Sequence, residues 1–289
     1  MGNNICILVA FQKKAFFPKE GIYLPILVGA SLKKSTEGFG RKYVEDNVGD
    51  EISVKNESYC ELTAMYWAWK NLQDFDIVGL CHYRRYLDFH NQCRPFFPST
   101  SFSEEDCIKM DFTIDEKTKS NVKSGRVVVA KAERMPCTLK QNYCEYHLST
   151  DFEVLQEVFE QNQNEKYKSA FRHVFEDGYK LYPYNIFLMR RIDFERYCEW
   201  LFPLLFEIES EINIESYSSF QKRIYGFMAE RLFNIWLKAE GKDVIEKPII
   251  FVDENIQNKI IGPRKVFRHI LKDICSCCIN VLYKMRKKI

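Results

Sequence analysis

The chain has 289 residues, 46% of them hydrophobic, 28% charged and 15% aromatic, with only 12 Gly and 9 Pro. That is the composition of one large folded domain, and it excludes disordered, collagenous and linker-rich architectures. Net charge is +2 but uneven: from Arg264 onward eight Lys/Arg face Asp273 alone, a local +7, while the remaining 34 basic and 39 acidic residues leave the body at −5; a mildly acidic body excludes duplex nucleic acid as a partner.

In chain order, Ile5–Phe11 is a short branched apolar run that predicts a buried strand, with Gln12 and Lys13 at its C-terminal end, where α/β folds place ligands. Asp46-Asn47-Val48-Gly49-Asp50 carries turn chemistry. Asn56 to Ser58 are placed to cap a helix over Tyr59–Leu72, with Leu62, Met65, Tyr66 and Trp69 on one face. Ile77–Cys81 predicts a second buried strand that runs into His82-Tyr83-Arg84-Arg85-Tyr86. Residues 91–124 read as a polar, irregular insertion or lid. Arg126–Lys131 and Tyr184–Met189 predict further strands. Helical patterns cover 152–161, 166–175, 192–212 and 219–240, and Val244–Val252 closes the body as a strand broken by Pro248. Strands alternating with helices predict an α/β fold with a mainly parallel sheet.

The 11 Cys are odd in number and mostly apolar in context, which predicts reduced thiols in a cytosol. The five His are dispersed, and Cys275-Ser276-Cys277-Cys278 lacks partners for a zinc site. No apolar run approaches the ~18 residues of a membrane span, and Met1-Gly2-Asn3-Asn4 lacks the basic stretch of a secretory signal. Phosphate-binding, dinucleotide, serine-hydrolase and zincin motifs are all missing.

Chemistry concentrates at a few places. Arg84 and Arg85 follow a buried strand at its ligand edge, and guanidinium forks match the oxygens of a diphosphate; surface ion pairs are the alternative. Asp74-Phe75-Asp76 has the spacing of a carboxylate pair that holds Mn²⁺ or Mg²⁺ on a diphosphate, but it precedes the strand and so reads as a connector at the wrong sheet edge. Gly226 weakens its helix by ~1 kcal/mol against Ala, which points to close approach of a ligand or another chain segment. Glu230, one turn on, is a candidate general base, with a Glu230–Arg231 surface ion pair as the alternative. Asn185 is an amide in an apolar strand and needs hydrogen-bond partners. His147 and Asp151 lie at a helix start, where Asp151 also suits a cap. Asn56 and Glu61 lie near a helix N-terminus, which favours anions nearby. Residues 263–289 alternate basic and apolar positions at helical spacing, the pattern of a helix lying on anionic lipid; docking on the body is the alternative.

The motifs Asp46-Asn47-x-Gly49-Asp50, Tyr59-Cys60-Glu61-Leu62-Thr63-Ala64, Val78-Gly79-Leu80-Cys81-His82-Tyr83-Arg84-Arg85-Tyr86, Tyr182-Pro183-Tyr184-Asn185 and Gly226-Phe227-x-x-Glu230-Arg231 resemble the bacterial domain-of-unknown-function family 4422. That family occurs in capsule, exopolysaccharide and O-antigen loci and is regarded as glycosyltransferases. The resemblance covers roughly residues 5–252. It implies a GT-A-like domain that moves a sugar, a galactose form, from a UDP-sugar to a growing cell-surface or lipid-linked glycan. Phe11, Gln12 and Lys13 are then expected on the base and ribose. Gly49, Asp50, Asn56, Glu61, His82, Arg84 and Arg85 are expected on the rest of the nucleotide sugar. His147, Asn185, Gly226 and Arg231 are expected on the acceptor. Glu230, His147 and Asp151 are expected in catalysis, with inversion and without a required metal; the Asp74/Asp76 pair is the metal-dependent alternative. The sequence departs from the family at Gln12-Lys13, where a His-Lys pair is common, and at Tyr146-His147, where paired His stand. Such an enzyme works at the inner membrane face, anchored by the basic tail over 253–289. A non-catalytic glycan-binding or scaffold subunit is the rival reading.

Overall fold

The computed structural model describes residues 4–33, 42–253 and 256; the expected basic tail lies, from residue 257 on, outside the described residues. In chain order the elements are β1 (Ile5–Phe11), β2 (Tyr23–Leu27), β3 (Val44–Glu45), α1 (Asn56–Tyr59), α2 (Leu62–Asn71), β4 (Ile77–His82), β5 (Arg85–Leu87), β6 (Ser99–Phe102), α3 (Glu104–Ile108), α4 (Glu116–Lys123) and β7 (Val127–Ala130). They continue with β8 (Glu133–Arg134), α5 (Leu139–Tyr146), α6 (Ser149–Asn162), α7 (Glu165–Phe175), β9 (Lys180–Leu181), β10 (Phe187–Arg190), α8 (Arg191–Glu211), α9 (Ile224–Ala239), β11 (Val244–Lys247) and β12 (Ile249–Val252).

The main sheet runs β11-β7-β10-β4-β1-β2-β3, and β5, β12 and β6 extend it beside β4. β1 is parallel to both β2 and β4, with Ile7 opposite Tyr23 on one side and Gly79 on the other. β10 enters antiparallel between β4 and β7. The sheet is therefore mostly parallel and flanked by helices, as the alternation of elements predicts, and among the described strands it contains two reversed ones, β10 and the short β5, that the alternation does not reveal.

Strand side chains alternate between two cores, as the pleat requires. Cys6, Leu8 and Ala10 of β1 join Val78, Leu80, Val127, Val129, Phe187 and Met189 under the helical layer of α2, α6, α7, α8 and α9. Ile5, Ile7 and Val9 point the other way, to Cys81, Val128 and Leu188. A strand buried on both faces reads as an unbroken apolar run, which is why Ile5–Phe11 shows no polar alternation.

Three local readings change. The helix expected over Tyr59–Leu72 is broken: α1 ends at Tyr59, Cys60 takes φ 53°, and α2 begins at Leu62. Asn185 does not lie in a strand; Tyr184 (φ 74°) and Asn185 (φ 52°) form a left-handed turn before β10. Residues 91–124 are not irregular: they contain β6, α3 and α4, and Cys107, Phe112, Ile114 and Val122 enter the second core beside Phe16, Tyr23 and Tyr86.

Candidate active site

A cleft of about 860 Å³ opens at the C-terminal ends of β1 and β4. Its floor is Ala10, Phe11 and Gln12 leaving β1, and His82, Tyr83, Arg84 and Arg85 leaving β4. One wall is Val28, Gly29, Leu32 and Lys33 after β2; another is Asn56, Glu57, Cys60 and Glu61; the rim is Tyr217, Ser219, Lys222 and Arg223 from the α8–α9 connector. Lys33, Arg84, Arg85, Lys222 and Arg223 thus face only Glu57 and Glu61 among the lining residues. An excess of cations in a recess lined partly by apolar groups draws anions strongly, because the field is focused where solvent is scarce.

The wall after β2 hangs on Asp46, a fully buried carboxylate. It accepts the backbone N–H groups of Gly29 (2.9 Å) and Ala30 (3.0 Å) and the hydroxyls of Ser53 and Thr63 (2.6 Å to Thr63). Gly29 needs its left-handed φ of 64°, and a Cβ there would lie 2.8 Å from Asn56 Oδ1. Asn56 is the first residue of α1 and caps nothing. Its Oδ1 accepts from Gln12 Nε2 at 2.6 Å, and its Nδ2 donates to Cys60 O and Thr63 Oγ1. It therefore fixes Gln12 at the floor.

Arg84 and Arg85 both reach the cleft from the β4–β5 hairpin. Arg84 lies over the ring of Tyr83 (5.1 Å) and Arg85 over that of Tyr184 (4.7 Å). Aromatic faces steer guanidinium planes without using their N–H donors. Buried Arg84 Nε has no described partner. His82 Nε2 lies 2.7 Å from Tyr184 O, so this nitrogen carries the proton. Burial lowers the His82 pKa, against the opposing pull of Glu61, and keeps the ring neutral.

Behind the floor, Asn185 Nδ2 donates to Glu61 Oε1 at 2.6 Å and to Gly226 O at 3.3 Å. Gly226 is close-packed for the same reason: a Cβ would lie 3.2 Å from Cys60 Sγ. Glu230 Oε1 accepts from Tyr184 N at 3.0 Å, and Oε2 pairs with Arg231 at 3.1 Å. Burial raises the Glu230 pKa, Arg231 opposes, and Glu61 adds to the rise. Arg231 is itself buried, lies over Tyr143 and donates to Asn142 Oδ1.

Asp151 sits in the first turn of α6, where Leu148 holds the cap position. Its Oδ1 accepts from Tyr217 OH at 2.6 Å, so it lies one hydroxyl behind the cleft rim. Burial raises its pKa and the Tyr217 bond opposes. His147 ends α5, stacked on Phe227 (4.3 Å) and Phe220 (5.9 Å). Burial, then Arg231, lower its pKa to about 4. Asp151 Oδ2, His147 Nδ1, Tyr143 OH, Tyr225 OH and Arg231 Nε are buried with no described partner. Such atoms need water or a ligand, since an unmet buried polar group is costly.

The structure therefore brings Phe11, Gln12, Asn56, Glu61, His82, Arg84 and Arg85 to one cleft. Asn185, Gly226 and Glu230 stand behind Glu61, while His147, Asp151 and Arg231 form a group beyond Tyr217; none of these six lines the cleft. Lys13 does not line it either. Gly49 and Asp50 are elsewhere: the Asp50 carboxylate accepts from Tyr66 OH, its backbone N–H donates to Asn71 Oδ1 and its backbone oxygen accepts from Asn71 Nδ2, and Gly49 (φ 82°) leaves no room for a Cβ beside Asn71, so both pin the β3–α1 loop to α2. Asp74 and Asp76 lie at the N-terminal end of β4, tied to Asn4, at the sheet edge opposite the cleft. Among the described residues no group of three or more His, Cys, Asp or Glu is placed to hold a metal ion. Lys33, Tyr217, Lys222 and Arg223 escape the sequence reading. Lys222 and Arg223 precede α9, where one continuous helix is expected from 219, and the pair beside Gly226 is the only local signal of them.

A solved structure of a bifunctional glycosyltransferase, WbbM, in its apo form matches with a TM-score of 0.77 and 29% identity. The match covers 87% of this chain and 46% of that one, so the chain spans under half the length of that protein. No curated protein matches. The family model described as "Domain of unknown function (DUF4422)" matches residues 6–241, and the chain belongs to that family.

Proposed function

We propose that the chain is a glycosyltransferase that moves a hexose, galactose in its pyranose or furanose form, from a UDP-sugar to a cell-surface or lipid-linked glycan. The observation that carries this reading is the cleft at the C-terminal ends of β1 and β4, with five cationic side chains against two carboxylates. That is the charge balance a nucleoside diphosphate needs. Arg84 and Arg85 hold the diphosphate, and Lys222 and Arg223 close on it from the rim. As the bond to the sugar breaks, these cations take up the charge that builds on the leaving group. This arrangement does the work of a divalent ion, so the transfer runs without one. The base and ribose lie toward Phe11, Gln12 and Asn56.

The acceptor approaches past Tyr217, toward the group of Asp151, His147 and Arg231 whose polar atoms await partners. The likeness to a glycosyltransferase supports the reaction class. No helix among the described residues is long and apolar enough to cross a membrane, and we place the chain on the inner membrane face through its basic tail.

A thermal-shift titration with UDP, UDP-galactose and UDP-galactofuranose, with EDTA or Mn²⁺, tests the reading. A ligand confined to the native state stabilises it by about 2.7 kcal/mol at a hundredfold excess over Kd. The expected shift survives EDTA and disappears in Arg84→Ala/Arg85→Ala. No shift with any nucleotide turns the reading to a glycan-binding subunit, and a strictly Mn²⁺-dependent shift overturns the metal-free mechanism.

A further inference from the structure

Resting on the transferase reading, we propose that Glu61 is the catalytic base of the transfer, with Asn185 as the residue that positions its carboxylate. Two acids stand close together here, Glu61 in the cleft wall and Glu230 behind it, and their surroundings differ. Glu230 has both oxygens engaged, by Tyr184 N–H and by Arg231, and does not line the cleft. Glu61 lines it. Its Oε1 is held by Asn185 Nδ2 at 2.6 Å, and no described residue donates to Oε2. A cleft-lining carboxylate tethered through one oxygen keeps the other for a proton.

The backbone around Glu61 carries the second line of argument. Cys60, immediately before it, has φ 53° and ψ −129°. Tyr184 and Asn185, which contact His82 and Glu61, both have positive φ. Three non-glycine residues in sparsely populated conformations thus adjoin Glu61 and its neighbour His82. Strain of this kind persists where the fold over-determines it, and it concentrates at functional sites. Here it breaks the helix at the one point that turns Glu61 toward the cleft, and it sets the Asn185 amide behind it.

In the step itself, the acceptor hydroxyl gives its proton to Glu61 Oε2 as its oxygen bonds to the anomeric carbon. The bond from that carbon to the diphosphate oxygen breaks, and its electron pair leaves with UDP, whose charge Arg84 and Arg85 meet. Glu61 then releases the proton to solvent. One displacement inverts the anomeric centre, so an α-linked donor yields a β-linked product.

The test uses the full chain with UDP-galactose and UDP-galactofuranose as donors and octyl β-galactoside as acceptor. UDP release, product anomer by NMR and the UDP thermal shift are measured together. Glu61→Gln is expected to keep the UDP shift and to lose about 100- to 10,000-fold in UDP release, while Glu230→Gln loses less. Glu61→Asp, one methylene shorter, serves if the glutamine variant does not fold, and it is expected to keep the shift with a rate at least tenfold lower. A Glu61→Gln rate within tenfold of wild type, or a product with retained configuration, overturns the assignment of Glu61 alone. Absence of UDP release by the wild-type chain overturns the transferase reading beneath it.

Discussion

The Asn185 side-chain amide donates to Glu61 Oε1 across 2.6 Å, although 124 positions separate the two residues in sequence. This bond joins the break between α1 and α2, in the cleft wall, to the left-handed turn before β10 behind it. Asn suits the turn, because Asn enters the left-handed region more readily than other non-glycine residues.

Replacing Asn185 separates these two contributions. Asn185→Ala removes the amide and places a less tolerant residue at φ 52°, and is expected to destabilise by about 2–4 kcal/mol. Asn185→Gly keeps the backbone accessible and is expected to lose about half as much. Urea unfolding of the two variants checks this; equal losses would mean that the backbone conformation carries no strain.

Asp46 is expected to be a larger stability determinant than any cleft residue. Asp46→Ala strands the N–H groups of Gly29 and Ala30 and the hydroxyl of Ser53 in the interior. Hydrogen bonds to a charged acceptor contribute about 1.5–3 kcal/mol each, so the expected loss is ~3–5 kcal/mol. The proposed nucleotide binding is expected to weaken with it, because Gly29, Leu32 and Lys33 line the cleft. A loss below about 1 kcal/mol in denaturant titration would contradict this.

Gly79 is closed to side chains. A Cβ there would lie 3.0 Å from both Leu188 Cδ1 and the backbone oxygen of Phe187, and 3.2 Å from Ile7 Cγ1. The neighbouring backbone oxygen belongs to β10, a central strand that cannot shift freely. Gly79→Ala is expected to destabilise by about 1–3 kcal/mol, as overpacked cores do, visible as a lower urea midpoint with unchanged slope.

Protonation of His147 is expected to lower stability as pH drops from about 6.5 toward 4, against the opposite contribution of Glu230 and Asp151, whose pKa values burial raises. The folded-state pKa of His147 is depressed to about 4 by burial among Phe220, Phe227 and Tyr143, and then by Arg231. The unfolded chain binds this proton near its ordinary pKa and the folded chain does not, so acid favours unfolding across that window. One such group gives a slope of up to about 1.4 kcal/mol per pH unit. His82, also lowered by burial, acts in the same direction, so His147→Gln is expected to flatten the dependence without abolishing it. Unfolding midpoints measured from pH 7 to pH 4 decide the point.

Sequence alone determined which segments are strands and helices wherever the pattern is local. Ile5–Phe11, Ile77–Cys81 and Arg126–Lys131 are apolar runs because both faces of the sheet are covered, and the helices from Phe152 onward declare themselves by periodicity. Arg84 and Arg85 were legible as cleft residues because they follow a buried strand at its C-terminal end. Other relationships were settled only by tertiary structure: the antiparallel entry of β10 between β4 and β7, the kink at Cys60, the union of Glu61 with Asn185, the burial of Asp46 as an anchor and the arrival of Lys222 and Arg223 at the rim. The physical reason is range. Periodicity and turn chemistry reflect interactions within a few residues, whereas a hydrogen-bond partner or a cleft wall is selected by packing between segments a hundred or more residues apart. Asn185 shows the boundary: its polarity in an apolar run was visible as a demand for partners, and only the fold supplied Glu61 and Gly226 to meet it.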